Sequence, residues 1–292
     1  GRALSLAQMG MTAAESVGPA SVVALLAFLD WRTLWLLLPL IPLVGLVPFL
    51  PVLTRRTRFQ DGGGLEGVRA AAASAGIDDS GSEDILTIDG ITHWRRRAVL
   101  RDRRFWIGVI WLTMVPGFSV TGLLFHQIYL SEVAGVTLTT WAAHYVFYAA
   151  FAVIGTLVAG QLVDRYSARR VAPHTLFPIT LACLALWLGD GPFGVLIFFI
   201  FFGLASGMPH AAVSAALAEL YGTRYLGEVK AVFMPLGVFS SALSPMLMGL
   251  LIDLGFGMAT LMGLNIALAV LSQIAAMRML KANPAGRLAG AA

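Results

Sequence analysis

The stretch GQLVDRYSARR, residues 160–170, places four charged residues between two long apolar runs. Asp164 and Arg165 are adjacent, and Arg169 and Arg170 follow within seven positions. Charged residues make up only 12% of the 292-residue chain and hydrophobic residues 58%, whereas a soluble protein has about 25% charged residues. The composition predicts a membrane protein, in which this stretch is a short turn between two membrane helices.

The apolar runs have the length of membrane-spanning helices. A bilayer core of about 30 Å needs about 20 apolar residues at 1.5 Å per residue. Eight stretches reach or approach that length: residues 4–28, 33–53, 105–130, 138–162, 171–188, 193–218, 231–252 and 258–280. They predict an all-α membrane protein with eight transmembrane helices.

A polar segment separates the second of these stretches from the third. Residues 54–104 are rich in Gly, Ala, Ser and charged residues, a composition typical of a flexible linker. Within it, ILTIDGITHWRRR, residues 85–97, alternates Ile, Thr and Trp with polar residues, which favours a short local element. We therefore expect a mostly flexible linker with one structured segment.

The Lys and Arg residues assign an orientation, because short cytoplasmic loops are enriched in them. With the linker inside, 19 of the 20 Lys and Arg residues lie on the cytoplasmic side and only Arg32 lies outside. The tail, residues 282–292, is then cytoplasmic too. Topology explains these basic residues and excludes nucleic acid as a partner. The excess of Arg over Lys, 18 to 2, indicates a GC-rich bacterial genome and hence a bacterial inner membrane.

Gly and Pro positions recur after six helices. Gly1 and Gly227 open the first and seventh predicted helices, 226 positions apart, and a proline follows each at the same distance. Parallel repeats of six helices occur in transporters. We interpret residues 1–53 as the last two helices of an N-terminal bundle and residues 105–281 as a complete six-helix C-terminal bundle. The missing N-terminal helices are expected to belong to the same protein.

The stretch at residues 160–170 resembles the cytoplasmic signature of the major facilitator superfamily. Six positions match that signature: Gly160, Leu162, Asp164, Arg165, Arg169 and Arg170. Ser167 stands where the signature has glycine. Because the turn joins the fourth and fifth predicted helices, it corresponds to the second copy of the signature in a twelve-helix carrier. The resemblance implies a truncated twelve-helix fold, the C-terminal fragment from helix five to helix twelve.

Two further stretches resemble the same family. GMTAAESVGPAS, residues 10–21, is similar to the Gly-Pro motif of the fifth helix, and TGLLFHQ, residues 121–127, is similar to monocarboxylate-type porters. The resemblance implies secondary active transport of a small solute by alternating access between two bundles. Proton coupling, an organic-anion substrate, and symport or antiport all stay open at this point.

The signature turn has two interpretations. Asp164 is expected to accept hydrogen bonds from backbone N–H groups at the helix ends, while the arginines keep the loop in the cytoplasm. In the functional interpretation, Gly160, Asp164, Arg165, Arg169 and Arg170 form a cytoplasmic gate whose ion pairs to a neighbouring helix close one side. In the other, the turn is a topological anchor. A carboxylate contributes nothing to retention inside, so Asp164 favours the gate.

Polar residues at membrane depth are the candidates for substrate contact or coupling, because burying them in lipid is costly. Glu15 lies near the midplane of the first predicted helix, and Gln8 and Thr12 share its face at helical spacing. The functional interpretation is a protonatable coupling residue; the alternative is an interhelical hydrogen bond.

Three later helices add candidates of the same kind. His126 and Gln127 lie near the outer end of the third predicted helix, His144 and Tyr148 lie on one face of the fourth, and His210 lies in the sixth. Two histidines approaching the outside from adjacent helices suit a proton-responsive gate or an anion contact. Interfacial placement of aromatic residues is the competing explanation.

Several other functions are disfavoured by residues that the chain lacks. It has neither a phosphate-binding loop nor a nucleophile elbow, and its polar residues are scattered over several helices. No Cys and His set has metal-ligand spacing. We therefore expect no enzyme, cofactor or metal, and a small-molecule substrate with protons and the lipid bilayer as partners. The alternative function is a non-transporting scaffold or sensor that acts through the cytoplasmic linker.

Overall fold

A computed structural model of the chain describes residues 18, 21–22, 25–26, 28–47, 84–88 and 91–281. The first predicted span falls almost entirely outside these residues, as do the linker from residue 54 to residue 83 and the tail at 282–292. The chain divides into two compact units, residues 21–83 and residues 84–292 together with 1–20.

The described residues of the smaller unit include two short helices, α1 (Trp31–Leu37) and α2 (Leu40–Leu46). Asp30 caps α1, accepting hydrogen bonds from the backbone N–H groups of Arg32 at 3.2 Å and Thr33 at 3.4 Å. The Thr33 hydroxyl also donates to this carboxylate, and these bonds lower the pKa of Asp30. The predicted helix over 33–53 is interrupted at Pro39, which has no N–H to donate.

Six helices of the larger unit are long and apolar enough to cross a membrane. They are α4 (Phe105–Phe125), α6 (Leu138–Tyr166), α7 (Ala168–Leu188), α8 (Gly191–Tyr221), α9 (Leu226–Asp253) and α10 (Met258–Lys281). A short helix, α5 (Gln127–Val133), extends α4 after a break at His126. Six of the eight predicted spans are therefore confirmed among the described residues. They were predictable because a membrane helix needs an apolar run of bilayer length, which can be seen in the sequence.

Two pairs of these helices run in the same direction and pack closely. In the first pair, α4 and α9, the Ser240 hydroxyl donates to the Met114 carbonyl at 2.7 Å, and a Cβ on Gly117 would lie 2.8 Å from the Gly237 carbonyl oxygen. In the second pair, α6 and α8, a Cβ on Gly207 would collide with the Ala152 carbonyl oxygen. Small residues allow this approach, which dispersion then stabilises.

The remaining pair, α7 and α10, completes the bundle. Gln273 on α10 lies 3.3 Å from His174 Nδ1, near the start of α7. The π-helical first turn of α4, Phe105–Val109, packs on α10, since a Cβ on Gly108 would lie 2.8 Å from Met279 Cβ. Aromatic rings fill the α6–α8 contact, where Trp141 lies 5.2 Å from Phe199 between ring centroids.

A β-hairpin precedes the bundle, within the segment predicted to be a linker. Strands β1 (Ile85–Ile88) and β2 (Ile91–Trp94) are antiparallel, with Ile85 opposite Trp94. The hairpin packs against the loop between α8 and α9: Trp94 meets the Tyr221 ring edge-on at 5.7 Å, and His93 is buried against Gly222. This part of the segment is ordered, as its alternating pattern indicated.

The last residues before the bundle form a further short helix, α3 (Arg96–Arg101), whose Ala98 and Val99 are buried. The hairpin, α3, the α6–α7 turn, the α8–α9 loop and the end of α10 all meet at one end of the bundle. We call this the basic end; it is the end that the positive residues predict to be cytoplasmic.

Candidate functional site

The predicted site residues divide between described and undescribed parts of the chain. Gln8, Thr12 and Glu15 lie outside the described residues, so their shared face stays a prediction. The other membrane-depth candidates lie on three described helices or at their ends: His126, Gln127, His144, Tyr148 and His210.

Both outer histidines lie at breaks in their helices. His126 ends α4 with φ −95° and ψ 22°, and His144 separates Leu138–Ala143 from Tyr145–Tyr166 within α6. Each Nδ1 contacts a backbone carbonyl oxygen four residues earlier, at 2.9 Å for Gly122 and 2.6 Å for Thr140. A carbonyl oxygen only accepts, so Nδ1 must carry the proton. In the neutral form of each ring, Nε2 is then an acceptor.

The two rings contact different helices. His126 Nε2 faces α9, where a Cβ on Gly249 would lie 3.4 Å away. His144 stacks on Phe199 of α8, with 6.2 Å between ring centroids. Among the described residues no hydrogen bond or ring contact joins the two histidines, so the structure does not bring them together as a pair.

A line of side chains, which we call the polar line, connects α5, α6 and α8 through two hydrogen bonds and one ring contact. The Tyr145 hydroxyl donates to Gln127 Oε1 at 2.8 Å, and the Tyr148 hydroxyl donates to Ser206 Oγ at 2.9 Å. The two tyrosine rings meet edge-on at 6.1 Å, and both are nearly fully buried. Gln127 and Tyr148 are thus part of one polar line. Sequence reasoning missed Tyr145, whose partner lies on another helix; its position three residues before Tyr148 was the available signal.

His210 differs from His126 and His144 because it is exposed on the bundle. It lies eleven residues before the end of α8 at Tyr221, or about 16 Å from the basic end at 1.5 Å per residue. That depth is close to the midplane of a core about 30 Å thick. Ser206 lies one turn away on the same face. An imidazole at this depth is costly in lipid, so this face suits a polar cavity.

The turn between α6 and α7 has a different anchor from the one predicted. Ser167 adopts φ 74° and ψ 139°, and it is the one non-glycine residue with positive φ in the described part of the chain. Glu219 on α8 accepts hydrogen bonds from the Ser167 hydroxyl at 2.8 Å, from Ala168 N–H at 2.8 Å and from Arg169 N–H at 3.1 Å. Glu219, not Asp164, therefore caps the start of α7.

Sequence reasoning missed Glu219 because its partners lie about 50 residues away in the chain. A signal was present nonetheless. A carboxylate in the last turn of a helix is disfavoured by the helix dipole, so Glu219 needs a compensating partner. The N–H groups that open α7 supply it.

The other signature residues separate into structural and exposed members. The Arg169 guanidinium donates to the Leu280 carbonyl at 2.9 Å and so ties the turn to the end of α10. Asp164, Arg165 and Arg170 are exposed, with Arg165 over the Tyr166 ring at 5.3 Å. Within the described residues Asp164 makes no hydrogen bond or ion pair. A Cβ on Gly160 would have nothing within 4 Å.

Metal binding has no candidate in the same part of the chain. No group of three or more His, Cys, Asp or Glu side chains could hold a metal ion among the residues that the structure describes.

Comparison with known families identifies the family of the chain. The family described as the Major Facilitator Superfamily matches residues 1–245 and again residues 145–291. No curated protein matches the chain. The family and the six apolar helices together make this a multi-pass integral membrane protein that transports a solute. Because the two matches cover almost every residue, the chain belongs to the Major Facilitator Superfamily.

Proposed function

We propose that this chain carries out secondary active transport of a small solute by alternating access. Residues 105–281 form the C-terminal bundle in this proposal, and residues 1–53 supply the last two helices of the N-terminal bundle. The rest of that bundle, from the same protein, completes the cavity. The observation that carries the proposal is the exposed His210 at membrane depth on α8, beside the polar line of Tyr148 and Ser206. No catalytic step is proposed.

His210 is the residue that we assign to coupling on the C-terminal bundle. An ionisable group at membrane depth marks a substrate or ion pathway. Imidazole changes its charge near neutral pH, so it suits a proton step or an anionic substrate such as a small carboxylate. Glu15 is the matching candidate from the N-terminal bundle, by its sequence position.

Asp164, Arg165 and Arg170 are the proposed gate at the basic end. They are exposed, which leaves their charges available to helices of the other bundle in one conformation. Arg169 has a different part, since it ties the turn to α10. Gating by exchange of such contacts accompanies the rocking of the two bundles. The surrounding membrane is proposed to be a bacterial inner membrane.

Solute-driven proton flux tests this function. The full-length protein, with the further N-terminal helices that this proposal requires, is reconstituted in liposomes that contain a pH-sensitive dye, and small carboxylates, beginning with lactate, are added outside. We expect acidification inside that depends on solute. A His210→Gln variant should transport without proton movement or not at all. His174→Gln, which changes an exposed histidine at the basic end, is the matched control and should behave like the wild type.

Two outcomes would count against the proposal. Unchanged proton coupling in the His210→Gln variant removes His210 from the pathway, and the same change at Glu15 then tests the other bundle. No flux of any solute by the correctly folded full-length protein favours the scaffold or sensor.

A further inference from the structure

Six arginines lie within ten residues, Arg95 to Arg104, directly before the first span of the bundle. The structure divides them into two groups. Arg95 and Arg104 turn inward and are partly buried. The other four are exposed and form what we call the basic patch: Arg96, Arg97, Arg101 and Arg103.

The two inward arginines hold the patch on a rigid base. The Arg95 guanidinium lies over the Tyr225 ring at 4.8 Å and donates to the Tyr225 hydroxyl at 3.3 Å. Arg104 pairs with Asp102 at 3.1 Å and lies over the Trp94 ring at 5.5 Å. These contacts pin both ends of α3, so the exposed arginines project from a fixed surface.

The Asp102 carboxylate contacts both Arg104 and Tyr221. The Tyr221 hydroxyl donates to Asp102 Oδ2 at 3.2 Å, an oxygen that also pairs with Arg104, and this ion pair is largely buried. The carboxylate is therefore satisfied internally and contributes little negative charge to the surface above.

Two acids flank the patch: Asp84 pairs with Arg101 at 3.3 Å, and the exposed Glu228 accepts a hydrogen bond from the Arg96 backbone N–H at 3.4 Å. Four arginines against these two carboxylates leave the patch with a net positive charge, and exposed pairs of this kind are weak enough for the guanidinium groups to take other partners.

The patch lies at the membrane boundary. The first span begins at Phe105, two residues after Arg103. Trp106 is 45% exposed and donates its indole N–H to the Leu100 carbonyl at 2.8 Å. Leu100 is itself 38% exposed. Tryptophan concentrates at the headgroup level of membranes, so the indole sets the depth at which the arginines sit.

We propose that the basic patch binds the phosphate headgroups of anionic lipids in the leaflet at the basic end. Guanidinium groups match phosphate oxygens with two parallel hydrogen bonds. Basic clusters directly beside a span attract anionic lipids. The exposed indole and Leu100 beside the patch favour a lipid surface over soluble phosphate, because only a bilayer offers charge and apolar contact together.

Lipid titration of the full chain tests this. The purified protein in neutral detergent is mixed with phosphatidylglycerol or phosphatidylcholine, and bound lipid is counted by native mass spectrometry. We expect a preference for phosphatidylglycerol. Arg→Gln at all four patch positions should weaken phosphatidylglycerol binding by about tenfold or more, because each basic residue near the surface contributes to attraction. Arg→Lys at the same positions should restore part of it.

The matched control removes four exposed cations elsewhere at the basic end: Arg165, Arg170, Arg278 and Lys281. It changes the net charge equally and should keep the preference. Equal loss in both variants would overturn the proposal in favour of diffuse charge. Displacement of the lipid by inorganic phosphate at similar concentration would overturn the assignment to lipid. If the fourfold variant does not fold, Arg97→Gln and Arg103→Gln alone should each weaken binding about two- to fivefold; no weakening refutes the site.

Discussion

The left-handed backbone conformation of Ser167 predicts how two substitutions at this position change the stability of the protein. Both Ser167→Gly and Ser167→Ala remove the hydroxyl that donates to Glu219 at 2.8 Å, so their difference isolates the backbone. At φ 74° a residue with a Cβ is strained by about 1–3 kcal/mol. Glycine relieves that strain but raises the entropy of the unfolded chain, which costs about 0.4–1 kcal/mol.

The net expectation is that the glycine variant is more stable than the alanine variant by about 1 kcal/mol. Relative to the wild type, Ser167→Ala should lose about 1 kcal/mol for the missing hydrogen bond. The free energy of unfolding is measured in detergent by titration with SDS and followed by circular dichroism.

Ser241 is the matched control for this prediction. It lies within α9, and its hydroxyl donates to the Val238 carbonyl at 2.8 Å. In helical backbone the order reverses, with glycine about 0.5–1 kcal/mol less stable than alanine. If Ser167→Ala proves as stable as Ser167→Gly, the turn is not left-handed there and the assignment of strain is wrong.

Two further changes test packing and the basic end. Gly207→Ala should destabilise the bundle by about 1–3 kcal/mol, because its Cβ would collide with the Ala152 carbonyl, whereas Gly263→Ala, with nothing within 4 Å of its Cβ, should be neutral or slightly stabilising in the same SDS titration. Tyr221→Phe removes the hydroxyl bonded to Asp102 at 3.2 Å and should cost about 1–3 kcal/mol; unchanged stability would mean that water replaces the hydroxyl.

Much of the fold was predictable because a helix that crosses a bilayer must be apolar over a fixed length. The six described spans follow apolar runs whose length is set by the bilayer. The hairpin was harder to predict. Its residues alternate, yet two strands alone are marginally stable, and the contacts of His93 with Gly222 and of Trp94 with Tyr221 supply what the local sequence lacks.

The candidate site shows a similar division. His126, His144 and His210 were identified by residue type and depth, because an imidazole in an apolar run is conspicuous. The spacing of these histidines along the chain did not indicate which of them is exposed and which packs against another helix. Only the folded bundle exposes His210 while turning His144 against Phe199, since exposure depends on which face of each helix its neighbours cover.

By itself the sequence determined the membrane class, the described spans and the family signature at residues 160–170, because hydropathy and motif are local properties. Only the tertiary structure determined which groups each charged side chain contacts. It assigned the cap of α7 to Glu219 instead of Asp164, and it separated Arg169, bonded to Leu280, from its exposed neighbour Arg170. A charge acts through the groups within a few ångströms of it, and folding brings those groups from 50 or more residues away.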